Sequence, residues 1–126
     1  MKIHQNVISA AIRAAKKSDV VRGKVGAAVF TNTGHVICTA YNKVLLGWTS
    51  KRRFTVHAEI SLLAKITRIR AVERFGLKNL NILVARFKVS TKRLAIAKPC
   101  DDCHYYLKLA NISVYYSDEN GRIKKL

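Results

Sequence analysis

The chain has 126 residues, 49% of them hydrophobic, with a single proline; that is enough for one domain with a proper core and excludes a disordered or fibrous protein. Lys and Arg number 24 against 7 Asp and Glu, a formal net charge of +17, which is self-repulsive unless a polyanion relieves it and makes nucleic acid the first partner to consider. No run is long and apolar enough to span a membrane, and the N-terminus lacks a signal peptide's uninterrupted apolar region, so the expectation is an intracellular protein, cytoplasmic or nuclear, with no membrane partner.

Ile3, Val7, Ile8, Ala11, Ile12 and Ala15 recur at helical spacing, with Arg13, Lys16 and Lys17 off the stripe, which predicts a first helix docked on the core. "KVGAAVFT" and "HVICTAYN" are apolar, β-rich runs flanking "TNTG", whose Asn32 and Gly34 supply turn chemistry; they predict a β-hairpin. Residues 43–56, "KVLLGWTSKRRFTV", show no sustained period and are expected to form a loop that can carry function. From His57 to about Phe75 the pattern predicts one helix, with Ile60, Leu63, Ala64, Ile66 and Val72 inward, Ser61, Lys65 and Arg68 outward, and Gly76 as its stop.

"NLNILVARF" is apolar enough for a central strand covered on both faces. Residues 88–98 are mixed, and Pro99 then stands where a short helix through Leu109 would start. "ISVYYS", "DENG" and "RIKKL" read as strand, turn and short strand. This order implies an α/β protein: a single domain, residues 1–126, built on a single mixed five-stranded sheet with helices on both faces.

Cys100 and Cys103 form a C-x-x-C pair, which suits a metal site in a reducing compartment better than a disulfide framework. Cys38, in "HVICTAY", reads as a small buried hydrophobe. His57, Cys100 and Cys103 are donors of the type zinc favours, and three protein ligands leave a tetrahedral ion one open position, which is the catalytic arrangement. Closing such a site requires two helix N-termini to meet, and their positive ends would favour thiolate over thiol. Glu59, two residues after His57, is placed to shuttle a proton as general acid and base.

Taken singly, His57 also reads as a core histidine, Glu59 as a partner of the helix dipole, and the cysteine pair as redox-active or structural. Jointly, H-x-E followed by P-C-x-x-C is the pattern of zinc deaminases. Asp101 and Asp102 read as structural residues at a helix start, and His104 as solvent-facing or packed. Tyr115 and Tyr116 alternate faces in their strand, so at most one can face the site side.

On His57-Ala58-Glu59 and Pro99-Cys100-Asp101-Asp102-Cys103 the sequence resembles the cytidine deaminase superfamily, and by order of elements the resemblance spans about residues 1–121. Histidine in the first motif is similar to the deoxycytidylate, tRNA-adenosine and AID/APOBEC-type branches rather than the free-nucleoside branch. The resemblance implies a cytidine deaminase-like fold, zinc held by His57, Cys100 and Cys103, Glu59 as proton shuttle, and a contact from the Ala58 backbone to the base. It also matches Asn42, at the end of the second strand, to a sugar-contacting asparagine; a turn former after a strand is an equal reading. The implied reaction is hydrolytic, with Glu59 protonating the ring nitrogen and then the leaving amine as ammonia departs. Cytosine would become uracil, and the same machinery serves adenine. Where nucleoside and tRNA-editing members commonly have T-L-E-P-C, this chain has "LAIAKPC" preceded by "KVSTKR", so their substrates do not transfer by analogy.

Lys51, Arg52 and Arg53 lead into His57 with Trp48 and Phe54 nearby, interleaving phosphate-binding charge with stacking surface; Trp48, Arg52 and Arg53 are candidate substrate contacts. Packing of the loop is the competing role for the two aromatics. Arg86, Lys88, Lys92, Arg93 and Lys98 add charge on the approach to the cysteines. The expectation is deamination of cytosine in single-stranded DNA or RNA by a monomer or homo-oligomer. Two alternatives stand beside it: a free-nucleotide deaminase of the deoxycytidylate type, and a catalytically silent zinc-containing nucleic-acid binder, against which the intact Glu59 argues.

Overall fold

The computed structural model describes residues 3–19, 24–46, 53–56, 58–88, 90, 93–97, 105, 107–108, 111–118 and 120–126, with the backbone alone described at 44–46, 53–56, 72, 77 and 93. Small residues set how closely the first helix approaches the sheet. Helix α1 (Gln5–Lys16) buries Val7, Ala10, Ala11, Ala14 and Ala15, so its inward face is turned toward Ala10 and Ala14 relative to the predicted stripe. These alanines rest on strand β1 (Lys24–Thr31) at Gly26, where an added Cβ would lie 2.1 Å from the Ala11 carbonyl oxygen and 2.4 Å from the Ala15 nitrogen. Only glycine permits that approach.

β1 pairs antiparallel with β2 (Val36–Tyr41), the expected hairpin, with a register shift between Val29 and Phe30. On its other edge β1 pairs antiparallel with β5 (Leu80–Lys88), which in turn runs parallel to β7 (Ser113–Ser117); β8 (Ile123–Lys125) closes the far edge antiparallel to β7. The strand order is β2-β1-β5-β7-β8, five strands with the apolar "NILVAR" run at the centre. A short sixth strand, β6 (Arg93–Ala95), arises from the segment read as mixed; it pairs with Arg86–Lys88 of β5, beyond the stretch Asn81–Val84 that pairs with β7.

Side-chain alternation divides the sheet into two faces. Ala28, Phe30, Leu83, Ala85 and Tyr115 pack with Val7 and Ala11 beneath α1. Ala27, Val29, Ile82, Val84 and Val114 face the other way and pack with Leu62 and Ile66, which belong to α2 (Ala58–Arg68). Burying each such Leu or Ile stabilises the fold by about 1.5–3 kcal/mol. Tyr105, Leu107 and Lys108 are helical, within the helix expected after Pro99, and Leu107 is buried in the α2-side core.

Two expectations are corrected. Residues 43–56 contain a hairpin of their own, β3 (Lys43–Leu46) against β4 (Arg53–Val56), with Lys43 opposite Val56 and Leu46 opposite Arg53. "KVLL" and "RFTV" are each too short to display a period. The predicted helix from His57 to Phe75 is broken after Arg68 and resumes as α3 (Ala71–Phe75), with Arg70 at a φ of 54° and Gly76 at 80°. The buried side is Ala58, Glu59, Leu62 and Ile66; an unbroken helix would carry it on to position 73, a glutamate. The break instead buries Ala71 and leaves Glu73 exposed. Ala64, expected inward, is exposed for the same reason of phase. Among the described residues no helix is long and apolar enough to cross a membrane.

Candidate active site

β4 ends at Val56 and α2 begins at Ala58. His57 lies outside the described residues, as do Cys100, Cys103, Trp48 and Arg52; Arg53 is described in its backbone alone, opposite Leu46. Ala58 is fully buried and Glu59 is 4% exposed. Glu59 shares the helical phase of Leu62 and Ile66, so it stands on the inward side of α2 rather than on the solvent side. An ionised carboxylate in such a position is costly unless something nearby answers it. Among the described residues no cation is paired with it, in a chain carrying 24 Lys and Arg. A carboxylate kept only to complement the helix end would gain more by facing water.

The chain flanking both motifs enters one core. Ala58 adjoins His57, Ala97 precedes Cys100 by three residues and Leu107 follows Cys103 by four, and all three belong to the same buried cluster. Among the described residues there is no group of three metal-ligating side chains. The donor set His57, Cys100 and Cys103, one imidazole and two thiols, fits zinc in its chemistry.

Asn42 follows β2 directly and is buried. Its Oδ1 accepts from the Val25 N–H at 2.9 Å and from the Ser18 hydroxyl at 2.7 Å, and its own N–H donates to the Val25 carbonyl at 3.1 Å. The Ser18 hydroxyl also lies 2.8 Å from the Asn42 carbonyl oxygen. Asn42 is therefore more than a turn former: it ties the exit of α1 to the hairpin, and the Val25 N–H fixes which end of the amide is oxygen. Ser18 escaped sequence reasoning because a serine after a helix reads simply as part of a cap.

The same end of the sheet carries a transverse row. Asn42 is bonded to Val25, Val25 stands opposite Arg86, and Arg86 stands opposite Ala95. The buried Ser117, last residue of β7, closes the fork where β6 takes over from β7: its hydroxyl accepts from the Arg86 N–H at 3.3 Å and donates to the Ala95 carbonyl at 2.7 Å, while its carbonyl accepts from the Ala97 N–H at 2.8 Å. The two tyrosines are now distinguished. Tyr115 lies under α1 against Phe30, ring centroids 6.3 Å apart, and Tyr116 packs on the α2 side.

Cys38 is half-buried against the α2-side core, as its apolar context predicted, and burial pushes its thiol pKa up against the opposing charge of Lys65. Lys65, expected on an outer face, reaches across to β2 and donates to the Thr39 carbonyl at 2.6 Å.

A family model for the cytidine and deoxycytidylate deaminase zinc-binding region matches residues 1–117. The chain belongs to this family. Its members' zinc dependence and deamination of a nucleobase therefore extend to this deaminase, as the two motifs implied. Among solved structures it is similar to the cytidine deaminase from Burkholderia pseudomallei, with 22% identity, 99% of this chain and 92% of that chain covered, and a TM-score of 0.69. It is also similar to the dCMP deaminase from the cyanophage S-TIM5 in complex with dCMP and dUMP (21% identity, 94% and 85% covered, TM-score 0.60). The cytidine deaminase from Mycobacterium leprae follows (20%, 95% and 90%, 0.56). At these identities the likeness establishes the fold. No curated protein matches the chain.

Proposed function

We propose that this deaminase converts cytosine to uracil in single-stranded nucleic acid, DNA or RNA, acting as one domain of residues 1–126, alone or as a homo-oligomer, inside the cell. His57, Cys100 and Cys103 would hold zinc, which supplies a Lewis acid that makes water nucleophilic near neutral pH. Glu59 moves the protons, first to the ring nitrogen and then to the departing amine. The Ala58 N–H, in the first turn of α2 where backbone donors lack helical partners, is available to the base, and Asn42, held by Ser18 and Val25, stands as the residue beside the sugar. Trp48, Arg52 and Arg53, in or beside the β3–β4 connection, supply stacking and charge to a strand.

The observation that carries the strand over a free nucleotide is the net charge of +17, far beyond what one phosphate needs and suited to a run of them. Exposed cations occur on elements of both faces, among them Arg13, Lys16 and Lys17 with α1 and Arg68 with α2. The second reading, a free-nucleotide enzyme of the deoxycytidylate type, is favoured by the similarity to the cyanophage dCMP deaminase. The deciding experiment incubates zinc-loaded protein with mixed single-stranded DNA and RNA and sequences the pool, with Glu59→Ala as control. C-to-T changes confined to the wild type are expected. Turnover of dCMP with none in strands moves the assignment to the second reading; no turnover of either, with metal present, leaves the silent binder.

A further inference from the structure

Arg86 occupies a position that strand alternation assigns to the core. β5 is buried along Leu80–Ala85, and its α2-side residues run Ile82, Val84 and then Arg86. Its partners confirm the face: Val25 opposite it packs against the α2-side core, and Ala97, two residues beyond its other partner Ala95, is part of that core. Arg86 is half-buried there, and among the described residues no carboxylate pairs with it. Its backbone is held from three strands, by the Val25 and Ala95 pairings and by the Ser117 hydroxyl on its N–H. A half-buried arginine on a core face, its backbone held and no carboxylate paired with it among the described residues, leaves a guanidinium fork suited to a planar or tetrahedral oxyanion.

In the row Asn42–Val25–Arg86, two strand spacings of about 4.8 Å separate Arg86 from Asn42, a little under 10 Å in all, and the chain leaving β6 two residues after Arg86's partner Ala95 leads through Ala97 toward Cys100. An arginine side chain directed back along that row reaches a phosphate attached to a sugar held near Asn42. We propose that Arg86 is the phosphate-recognising residue of this active site, gripping the phosphate next to the target sugar, whether a nucleotide monoester or a strand phosphodiester. The assignment rests on the deaminase reading of the site. Lys88, exposed and two residues further along the same face, stands about 7 Å beyond and meets a neighbouring phosphate only when the ligand is a strand.

The test is equilibrium binding in a Glu59→Gln background, so that turnover does not enter. The probes are dCMP, deoxycytidine and a short single-stranded DNA bearing one cytosine, measured for the parent and for Arg86→Gln, Arg86→Lys, Lys88→Gln and Arg74→Gln. Arg74 is an exposed cation on α3, past the far end of α2, and controls for net charge. Loss of a charge-assisted bidentate contact predicts that Arg86→Gln cuts the preference for dCMP over deoxycytidine by roughly 10- to 100-fold, with partial retention in Arg86→Lys and under about twofold change in Arg74→Gln. Affinity for the DNA should fall with Arg86→Gln as well, and Lys88→Gln should weaken the DNA alone if the strand is the substrate. An unchanged dCMP-to-deoxycytidine ratio in a folded, zinc-containing Arg86→Gln overturns the proposal, as does a parent that prefers neither phosphorylated probe. Because the ratio is read by binding, it judges Arg86 even if the sequencing experiment finds no deamination.

Discussion

Replacing Gly26 by alanine tests whether the close seat of α1 on β1 holds the site end of the sheet in register. The added Cβ would sit 2.1 Å from the Ala11 carbonyl oxygen, against about 3.4 Å for ordinary contact, so α1 must lift by 1.3 Å (3.4 less 2.1) or the strand must sink by as much. The second contact, 2.4 Å to the Ala15 nitrogen, is to the donor of the helical hydrogen bond that the Ala11 oxygen accepts, and as both atoms are backbone a local side-chain movement relieves neither. Overpacking of this kind costs about 1–3 kcal/mol, and backbone against backbone argues for the upper end. The lower chain entropy of unfolded alanine returns about 0.4–1 kcal/mol. The net expectation is a loss of about 2 kcal/mol, which in urea, at a slope of about 1–3 kcal/mol per molar, lowers the midpoint by roughly 1 M. Ala11→Gly added to Gly26→Ala should not rescue it, because the obstructing atoms are backbone. The displacement should also reach the site, since Ser18, at the exit of α1, bonds Asn42. A midpoint within about 0.3 M of the parent, or rescue by Ala11→Gly, would refute the packing argument.

Removing zinc with a chelator should abolish turnover and lower the melting temperature together, restored by zinc and not by magnesium; His57→Ala should bind less than one equivalent of zinc per chain while the far-UV spectrum keeps its helix and strand content. Acid stability should depend on Asp118, whose carboxylate the Arg122 N–H holds below the usual range, helped by the Asn120 N–H and Lys124 against its desolvation. A carboxylate depressed in the folded state contributes stability above its unfolded pKa of about 3.9 and loses it as pH falls through the folded value, so a urea midpoint measured from pH 6 downward should drop less steeply in Asp118→Asn than in the parent below about pH 4.

The helix, hairpin and central strand were legible because each is long enough to display its character: six apolar positions mark α1, and β5 carries the apolar run Ile82–Ala85. β3, β4 and β6 were not, since three or four residues cannot show alternation and their partners are chosen by the sheet. The break at Arg70 was hidden because Ile66 and Val72 look continuous; only the three-dimensional phase reveals that Glu73 would otherwise turn inward. In the site, the motif residues announce their chemistry by type and spacing. The hydroxyls of Ser18 and Ser117 do not, because what they do depends on carbonyls and N–H groups contributed by distant strands. Arg86 was visible as charge, and the signal missed was its parity with Ile82 and Val84.

Strand direction brings the exits of three strands to one edge. β5 and β7 run parallel, and β2 runs with them because both β2 and β5 are antiparallel to β1. Three carboxyl ends, at Tyr41, Lys88 and Ser117, therefore share one rim of the sheet. In open α/β sheets that rim is where ligands bind, since chains leaving parallel strands cross over there and open a crevice between them. The chain leaving β2 passes through Asn42 and the β3–β4 hairpin to His57 and Glu59; the chain leaving β5 turns through β6 to Ala97 and on to Cys100. The two halves of the deaminase pattern thus follow in the chain from the carboxyl ends of β2 and β5, strands two spacings apart in the sheet. The β5–β6 turn adds a constraint of its own: by occupying the edge of β5 beyond β7, β6 holds the Arg86 backbone at this rim. In this chain the stretch "KVSTKRLAIAK" ahead of Pro99 supplies β6, and with it the pairing that holds the Arg86 backbone.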